Sequence, residues 1–402
     1  MKILVVCQHY WPEPYPLEDT CEELVKRGHT VHVITGVPNY PMGYIYDDYR
    51  RGKNRKQVHN GVEITRTFTI GRRQNILFRM LNYFSFCISS TVHVLGMKEE
   101  YDVVYTNQTS PVMMVNAAMA YARKHGKKTV LYCMDLWPAS LAAGGVQETS
   151  PIYKAFGWIS GKLYRKADRI LITSRMFEGY LKEKFGITED RVEYLPQYAD
   201  NRFDRLPERE ADGFVNLVFA GNVGAAQSLD TVLQAAKLLE HRQELRWHIV
   251  GDGSELDHLK QMARDLELEN VIFHGRRALD EMPEFYAMAD AMLVTLTADP
   301  FISLTLPGKV QTYMAAGKPI LAAADGEIPN VIRRSGCGFC VGAGDAQGLA
   351  AATEQFLACE DKEKLGENAR QYYMNHFTRT MFMNHLERVL KEFATGNEGT
   401  VC

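Results

Sequence analysis

The sequence predicts an α/β protein made of two doubly wound, Rossmann-like domains. Short apolar runs alternate with amphipathic segments along the whole chain, which is typical of βαβ units around a parallel sheet. The alternation is interrupted by a polar stretch at residues 200–213 and then starts again. A length of 402 residues, of which 46% are hydrophobic, also favours two domains over one.

The first half of the chain supplies a complete series of candidate strands. KILVVC is the first, and the amphipathic segment LEDTCEELVKRG follows it. HTVHVITG, DVVYTN, KTVLYCMD, ADRILITS and VEYLP continue the series. We therefore expect an N-terminal domain over residues 1–205. The opening apolar run is too short for a signal-peptide core, which predicts a cytoplasmic protein.

The second half repeats the same pattern. VNLVFAG, RWHIVGDG, NVIFHG, KPILAA and CGFCVG are candidate strands separated by helical segments. They predict a C-terminal domain over residues 206–377, and a final segment over 378–402 whose helix packs back on the N-terminal domain. Two such domains facing each other would place the carboxyl ends of both sheets around a central cleft, where open α/β sheets bind ligands.

The distribution of charge and the spacing of cysteines indicate which half could contact an anionic surface and whether a zinc site is expected. The net charge is −3, but residues 1–205 hold 28 Lys and Arg against 21 Asp and Glu, so the excess of negative charge lies in the second half. The N-terminal half is the one expected to meet an anionic surface. Cys337 and Cys340 form the single C-x-x-C, and no further ligands have zinc-site spacing. We interpret both as small buried residues at a strand start, and we expect no metal.

Two glycine-containing loops of the second half are candidate diphosphate sites. FAGNVGAAQSLDTVL reads as a strand, a loop with Gly221, Asn222 and Gly224, and a helix whose first N–H groups suit a diphosphate. Gln227 and Ser228 are candidate donors to the same anion. A βα turn also needs glycine for structural reasons, so both interpretations stay open.

A second turn, VGDGSELDHL, carries Gly251 and Asp252, with Ser254 as a candidate N-cap. Here too ligand binding and capping are both open. HGRRALDEMPEFY then places Arg276 and Arg277 directly after a strand, where a base or a phosphate would be met. A solvated arginine pair is the alternative.

TLPGKVQTYMAAGKPIL at residues 305–321 is a third junction between a loop and a helix. Pro307 and Gly308 form a turn, and Lys309 begins the helix. An ammonium is unfavourable at a helix N-terminus unless an anion is bound there too. Lys309 is therefore the strongest candidate for contact with a leaving phosphate, and Thr312, one turn later, is a candidate partner of a ribose hydroxyl.

The N-terminal half places aromatic and polar groups after its strands. QHYWPEPYP carries His9, Tyr10 and Trp11, YCMDLWPAS carries Asp135 and Trp137, and Asn107 ends the run DVVYTN. Such groups suit the binding of an acceptor sugar. Asp135 is interpreted as the one carboxylate at a strand end in this half, and so as the candidate base or charge stabiliser. An N-cap or a salt bridge is the alternative.

Residues 71–98 combine arginines with large apolar side chains. Arg72, Arg73, Phe78, Arg79 and Phe84 are the candidate membrane contacts. Polar interruptions argue against a transmembrane helix. A basic, aromatic-rich amphipathic segment lies either in a membrane interface or on its own sheet, and the basic stretch RRGKNRK just upstream favours the membrane surface.

Several blocks together resemble the GT-B glycosyltransferases of family 4, in particular the WbuB/WcaI-like branch of surface-polysaccharide assembly. The matching blocks are YWPEP, LVKRGHTVHVITGVPNYP, MDLWPAS, YRKADRILITS, FAGNVGAAQSLDTVL, IVGDGSE and LPGKVQTYMAAGKPILAAADGE. They follow one another over nearly the whole chain, so the resemblance is specific to the family.

The resemblance implies a retaining, metal-independent transfer of a sugar from a nucleotide donor, usually a UDP-sugar, held by the C-terminal domain. It implies a polyprenyl-diphosphate-linked sugar as the acceptor, bound by the N-terminal domain at the inner face of the cell membrane. The sugar is expected to be an N-acetylated or deoxy hexosamine. The resemblance also implies that the diphosphate is bound by the loop of Asn222 to Ser228 and by Lys309. Asp135 stands where many relatives carry a histidine that helps to hold the reacting sugar.

Two departures from the family pattern keep other functions open. The two glutamates that the family carries eight positions apart fall on Leu304 and Thr312, and the glycine pair after the first strand is replaced by YPLED at residues 15–19. A UDP-N-acetylhexosamine 2-epimerase would use the same two-domain architecture without an acceptor. A non-catalytic partner subunit is the third hypothesis.

Overall fold

The computed structural model describes residues 1–73, 75–209 and 212–395, with the backbone alone at Ile76. The chain forms two compact units. The first unit is Met1–Leu195 together with the segment from Met383 onward, and the second is Pro196–Phe382. The change of unit comes directly after the last strand of the first sheet, earlier than the polar stretch that suggested residue 205. The predicted segment 378–402 extends past the described residues.

The first unit is built on an eight-stranded sheet with the order β3-β4-β2-β1-β5-β6-β7-β8. All neighbouring strands are parallel except β3 and β4, which form an antiparallel hairpin at one edge. The strands are β1 (Lys2–Val6), β2 (Thr30–Thr35), β3 (Lys56–His59), β4 (Val62–Arg66), β5 (Val103–Gln108), β6 (Lys128–Cys133), β7 (Arg169–Ile172) and β8 (Val192–Tyr194).

The helices of this unit connect successive parallel strands, as in a doubly wound fold. They are α1 (Leu17–Lys26), α2 (Ile76–Gly96), α3 (Asn116–His125), α4 (Ala139–Ala143), α5 (Pro151–Tyr164) and α6 (Met176–Phe185). β1 and β5 lie in the middle of the sheet, and their apolar residues are almost completely buried. Because these strands are parallel, the loops that follow them meet at one edge.

The second unit is a parallel six-stranded sheet with the order β11-β10-β9-β12-β13-β14. Its strands are β9 (Val215–Ala220), β10 (Leu245–Val250), β11 (Val271–Gly275), β12 (Ala291–Thr295), β13 (Ile320–Ala323) and β14 (Gly338–Val341). Its helices are α7 (Asp230–Leu238), α8 (Leu256–Asp265), α9 (Met282–Met288), α10 (Gly308–Ala315), α11 (Glu327–Ser335), α12 (Ala346–Ala358) and α13 (Lys362–His376). The strand order reverses direction beside β9, which places its loop at a switch point of the sheet.

The last described helix, α14 (Arg379–Thr395), ends in the first unit. Glu387 accepts hydrogen bonds at 2.9 Å from both Arg27 and His29, which follow α1. Arg169 on β7 donates to Glu392 at 3.2 Å. These ion pairs attach α14 to β7 and to the residues that follow α1.

Candidate active site

Lys309 is the central feature of the second unit. It is the second residue of α10, as the sequence predicts, and Pro307 is the residue before the helix. Its ammonium group donates a hydrogen bond to Gln227 Oε1 in the loop after β9, and it lies 4.0 Å from the centre of the Phe219 ring. Burial lowers the pKa of Lys309 to about 7. The group therefore sits where a nearby anion would strongly favour its charged form.

The loop after β9 is held in place by the neighbouring strand and helix. Thr297, just after β12, donates from its backbone N–H to Ala226 O at 3.1 Å and from its hydroxyl to Ala225 O at 2.8 Å. Tyr313 on α10 donates its hydroxyl to Ala220 O at 2.9 Å. These bonds join the loop to the helix that carries Lys309, so the ammonium and the loop are positioned before any ligand arrives.

The glycines of this region serve two different purposes. A Cβ at Gly251 (φ +144°) would collide with the carbonyl oxygen of Gly221, so Gly251 is required by the close packing of two loops. Gly221 (φ +146°) also faces Lys309, whose Nζ would lie 3.4 Å from an added Cβ. Gly224 lies beneath the side chain of Asn222. Close loop packing alone therefore accounts for Gly251, while Gly221 opens directly onto the ammonium.

Several other predicted donor contacts lie at the same edge of this sheet. Asp252 is exposed, and its carboxylate accepts from the N–H of Gly253 at 2.8 Å. Arg276 follows β11 and is also exposed. Its neighbour Arg277 donates to His274 O at 3.2 Å. The prediction that Ser254 caps α8 is wrong, because Glu255 precedes that helix and no side chain caps it.

Two polar side chains that the sequence singled out, Ser228 and Thr312, make hydrogen bonds of their own. Ser228 donates its hydroxyl to Asp230 at 3.1 Å, and its backbone is left-handed at φ +44°. Thr312 donates to Gly308 O at 2.9 Å within α10. Gln311 is fully buried, and in the described part of the chain neither atom of its amide has a partner. Gln311 is therefore a core residue and not part of the polar edge.

In the first unit, His9 forms a buried pair with Glu13. His9 Nδ1 lies 2.8 Å from Glu13 Oε2, and both side chains are almost inaccessible to solvent. The second carboxylate oxygen of Glu13 accepts from the backbone N–H groups of Asn39 at 2.6 Å and Tyr40 at 2.7 Å. The His9 ring also stacks on Tyr15 at 5.0 Å. Glu13 thus joins the loops after β1 and β2 and orients the imidazole.

Asp135 lies after β6 and is half-buried. Ser110 donates its hydroxyl to Asp135 Oδ2 at 3.0 Å, and the indole N–H of Trp137 donates to Ser110 at 3.0 Å. Burial raises the pKa of Asp135, and the hydrogen bonds from Ser110 oppose this. Pro138, not Asp135, precedes α4, and no ion pair of Asp135 occurs within the described residues. The N-cap and salt-bridge alternatives are therefore excluded for the described chain.

The remaining predicted acceptor residues are less accessible than the sequence suggested. Tyr10 is only 1% exposed and Trp137 only 4%, so both rings belong to the core. Trp11 stacks on His59 with ring centres 3.8 Å apart. Asn107 is buried in β5 at 7% exposure. Of this set, His9, Asp135 and Trp137 have polar groups that belong to hydrogen-bonded clusters at the strand ends.

Helix α2 presents one buried and one apolar exposed face. Phe86 and Val94 are fully buried against the sheet. Among its residues with described side chains, every exposed one is apolar or glycine except Arg79. The exposed large side chains of α2 are Leu77 (65%), Leu81 (39%), Phe84 (44%), Ile88 (62%), Val92 (66%) and Leu95 (48%). They recur every three or four residues, which makes a continuous stripe along the helix.

Arginines lie at the start of this stripe. Arg73 packs over Phe78 at 4.0 Å, and Arg72 lies over the rings of Tyr40 at 5.7 Å and Tyr83 at 6.0 Å. One face of α2 packs on the sheet, as the second interpretation of residues 71–98 predicts, and the other face is exposed. Contact with a membrane surface stays a prediction. In the residues that the structure covers, no helix has the length and apolar character needed to cross a membrane.

The structure adds polar residues that the sequence interpretation missed. Glu13 contradicts the prediction that Asp135 is the one carboxylate at a strand end of this half. Asn82 on the inner face of α2 accepts from Gln8 at 2.7 Å and donates to Asn39 at 3.3 Å and to Ile70 O at 2.6 Å. A polar residue in the middle of an apolar helix was the available signal, because buried amides need partners.

One group of metal-ligand type occurs among the described residues, formed by Glu18, Glu22 and His59. His59 Nε2 lies 3.1 Å from Glu18 Oε1 and 3.7 Å from Glu22 Oε1. These contacts attach the β3–β4 hairpin to α1, and ion pairing accounts for them. Cys337 is buried as predicted, whereas Cys340 lies within β14 and is only half-buried. The seven cysteines of the described residues are free thiols.

Comparison with known proteins identifies the class. A family model described as Glycosyltransferase Family 4 matches residues 17–201, and one described as Glycosyl transferases group 1 matches residues 200–372. The solved structure of HepE from Anabaena covers 98% of this chain and all of its own, with a TM-score of 0.71 and 16% identity. The solved structure of the glycosyltransferase WaaG gives a TM-score of 0.67 at 14% identity. The match covers 97% of this chain and 99% of the WaaG chain. The fold is GT-B.

Sequence relatives narrow the assignment to a branch. The probable glycosyltransferase WbjE of Pseudomonas aeruginosa is 27% identical over 324 residues, covering 77% of this chain and 80% of that protein. WcaI of Escherichia coli K12, a putative colanic acid biosynthesis glycosyl transferase, is 25% identical over 389 residues. The match covers 89% of this chain and 92% of WcaI. The chain belongs to the GT-B glycosyltransferases of family 4, in the WcaI-like branch that builds surface polysaccharides.

Proposed function

We propose that this glycosyltransferase transfers a sugar from a UDP-sugar to a lipid-linked acceptor, with retention of configuration. The observation that carries the proposal is the ammonium of Lys309, which Gln227 holds beside the β9 loop. The related HepE structures contain UDP and UDP-glucose, which supports a UDP-sugar donor here. The resemblance to the WcaI-like branch favours an N-acetylated or deoxy hexosamine.

In this proposal the second unit binds the donor. Lys309 and Arg276 neutralise the charge that develops on the leaving diphosphate, which lowers the energy of the transition state. Asn222 and the N–H groups around Gly221 and Gly224 contact the same diphosphate. Thr312 takes the place of the family's ribose-binding glutamate through a neutral hydroxyl, and no metal is needed for departure of the nucleotide.

The first unit binds the acceptor in this proposal. Asp135 stabilises positive charge on the reacting sugar, and its low exposure strengthens that interaction. His9, held by Glu13, accepts a hydrogen bond from an acceptor hydroxyl. The apolar stripe of α2, with Arg73 and Arg79, lies on the membrane surface that carries the lipid-linked acceptor.

A donor screen tests the proposal. UDP and a panel of UDP-sugars are added to the protein, and stabilisation is followed by thermal shift before transfer is assayed. The proposal expects UDP to raise the unfolding temperature, and it expects release of UDP from a UDP-sugar when a lipid-linked sugar is present. A folded protein that shows no stabilisation by UDP would leave a non-catalytic partner subunit as the better account.

A further inference from the structure

The predicted role of Arg72 in membrane contact does not explain the surroundings of this cation. It is half-buried on the loop between β4 and α2, whereas Arg79 is exposed. Arg27, another half-buried arginine of the first unit, has a carboxylate partner in Glu387, whereas Arg55 and Arg191 donate to backbone carbonyls. Within the described part of the chain Arg72 has no such partner, and its guanidinium contacts the rings of Tyr40 and Tyr83.

The backbone of Arg72 is fixed by the buried polar network of this unit. Its N–H donates to Asn39 Oδ1 at 3.2 Å, and the same oxygen accepts from Asn82 at 3.3 Å. The N–H of Asn39 in turn donates to Glu13 at 2.6 Å. The guanidinium therefore starts from a rigid loop and lies on two aromatic faces, which reduces the entropy lost when it binds a ligand.

Arg72 also lies between the two parts of the proposed acceptor site. Tyr40, beneath its guanidinium, is 5.7 Å from the His9 ring and 5.5 Å from the Tyr15 ring. Burial raises the pKa of Tyr15. The charge of Arg72 lowers this pKa and the charge of Asp135 raises it, so the charges of both side chains act on the Tyr15 phenol. On the other side, Asn75 caps α2, and the apolar stripe begins at Leu77.

The order of these groups matches the order of a lipid-linked sugar. The groups of the proposed acceptor site come first. Next is the guanidinium of Arg72, which has no carboxylate partner among the described residues, and then a strip of exposed apolar side chains. An arginine without a carboxylate partner, held on aromatic rings, is suited to two-pronged binding of phosphate oxygens. We propose that Arg72 binds the diphosphate of the acceptor, so that the sugar lies toward His9 and Asp135 and the lipid lies along α2. This inference rests on the proposed lipid-linked acceptor.

A binding experiment on the full chain tests this assignment without relying on turnover. Farnesyl diphosphate is titrated into the protein at saturating UDP, which keeps the probe out of the donor site, and farnesol serves as the probe without phosphate. The variants are Arg72→Gln, Arg72→Lys and Arg123→Gln. Arg123 is an exposed arginine of α3 and provides the matched charge control. Circular dichroism and the unfolding temperature confirm that each variant is folded.

We expect Arg72→Gln to weaken binding of farnesyl diphosphate about tenfold or more, because a charge-assisted pair is lost. Arg72→Lys should recover part of the affinity, while Arg123→Gln should bind like the wild type. Farnesol binding should not change in any variant. Undiminished binding of farnesyl diphosphate by Arg72→Gln would overturn the assignment, and so would an equal loss of farnesol binding.

Two further measurements are needed. One distinguishes lipid headgroups from the acceptor diphosphate as the ligand of Arg72, and the other distinguishes failure of this assignment from failure of the proposed function. If Arg72→Gln loses binding to phosphatidylglycerol vesicles but keeps its affinity for farnesyl diphosphate, Arg72 contacts lipid headgroups and the assignment is wrong. If wild type transfers no sugar to any lipid-linked acceptor, the proposed function fails, whereas Arg72-dependent binding of farnesyl diphosphate would still support the site.

Discussion

At the scale of single residues, Lys309 carries the donor proposal. Replacing it with methionine keeps the length and removes the charge. We expect UDP to bind about ten- to a hundredfold more weakly, which corresponds to loss of a charged hydrogen bond of about 1.5–3 kcal/mol. Isothermal titration calorimetry measures this change. Lys364→Met, on the exposed face of α13, is the control and should bind UDP normally.

The pKa of Lys309 leads to a pH prediction for the same step. Its value of about 7 in the free protein rises when an anionic diphosphate binds, because the ligand favours the charged ammonium. Binding therefore takes up protons above pH 7, and affinity falls as pH rises past that value. Titrations at pH 8 in buffers of different ionisation enthalpy should show proton uptake in wild type and none in Lys309→Met. Equal uptake by both proteins would assign the proton to another group.

The buried side chain of Gln311 leads to a prediction about stability rather than about UDP binding. Its buried amide has no partner among the described residues, so an apolar side chain of similar size should fit at least as well. We expect Gln311→Met to leave the free energy of unfolding unchanged or to raise it by about 1 kcal/mol. Denaturant unfolding checks this. A clear loss of stability would show that the amide makes a bond that the structure does not reveal.

At the scale of elements, the apolar stripe of α2 supports membrane attachment. Replacing Leu77 and Ile88 by glutamine removes two large apolar side chains from the exposed face, which should cost up to about 1.5–3 kcal/mol each in transfer free energy. Sedimentation with anionic vesicles should show a marked loss of binding. Leu238→Gln, an exposed leucine of α7 in the second unit, should bind vesicles like the wild type. Equal binding by the double variant would contradict a role for α2.

The two sheets could be predicted from sequence because alternation of apolar runs and amphipathic helices is a local signal. The short β3–β4 hairpin was missed, although its Asn60-Gly61 turn is a recognised hairpin sequence. Glu13, Asn39 and Asn82 could not be paired in advance, since their partners are brought together only by folding. Lys309 could be singled out because a cation at a helix start conflicts with the helix dipole, and that conflict is visible in sequence. Its place at the start of α10 is confirmed, and its contact with a phosphate stays a prediction.

In the whole molecule, each of the two units is proposed to bind one substrate. Hydrogen exchange on the full chain can locate both. UDP should protect the loop after β9 and the start of α10, while farnesyl diphosphate with UDP present should protect residues 36–46 and the loop before α2. Protection of the first unit by UDP alone would contradict this division.

Transfer itself is the most direct test of the central claim. UDP release from a panel of UDP-hexosamines is measured with and without a polyprenyl-diphosphate-linked sugar, and the product is analysed. The account predicts UDP release only when the acceptor is present, with retained configuration in the product, and strong loss of rate in Lys309→Met but not in Lys364→Met. Conversion of the UDP-sugar to its 2-epimer without acceptor, or no turnover by folded protein across the panel, would contradict it.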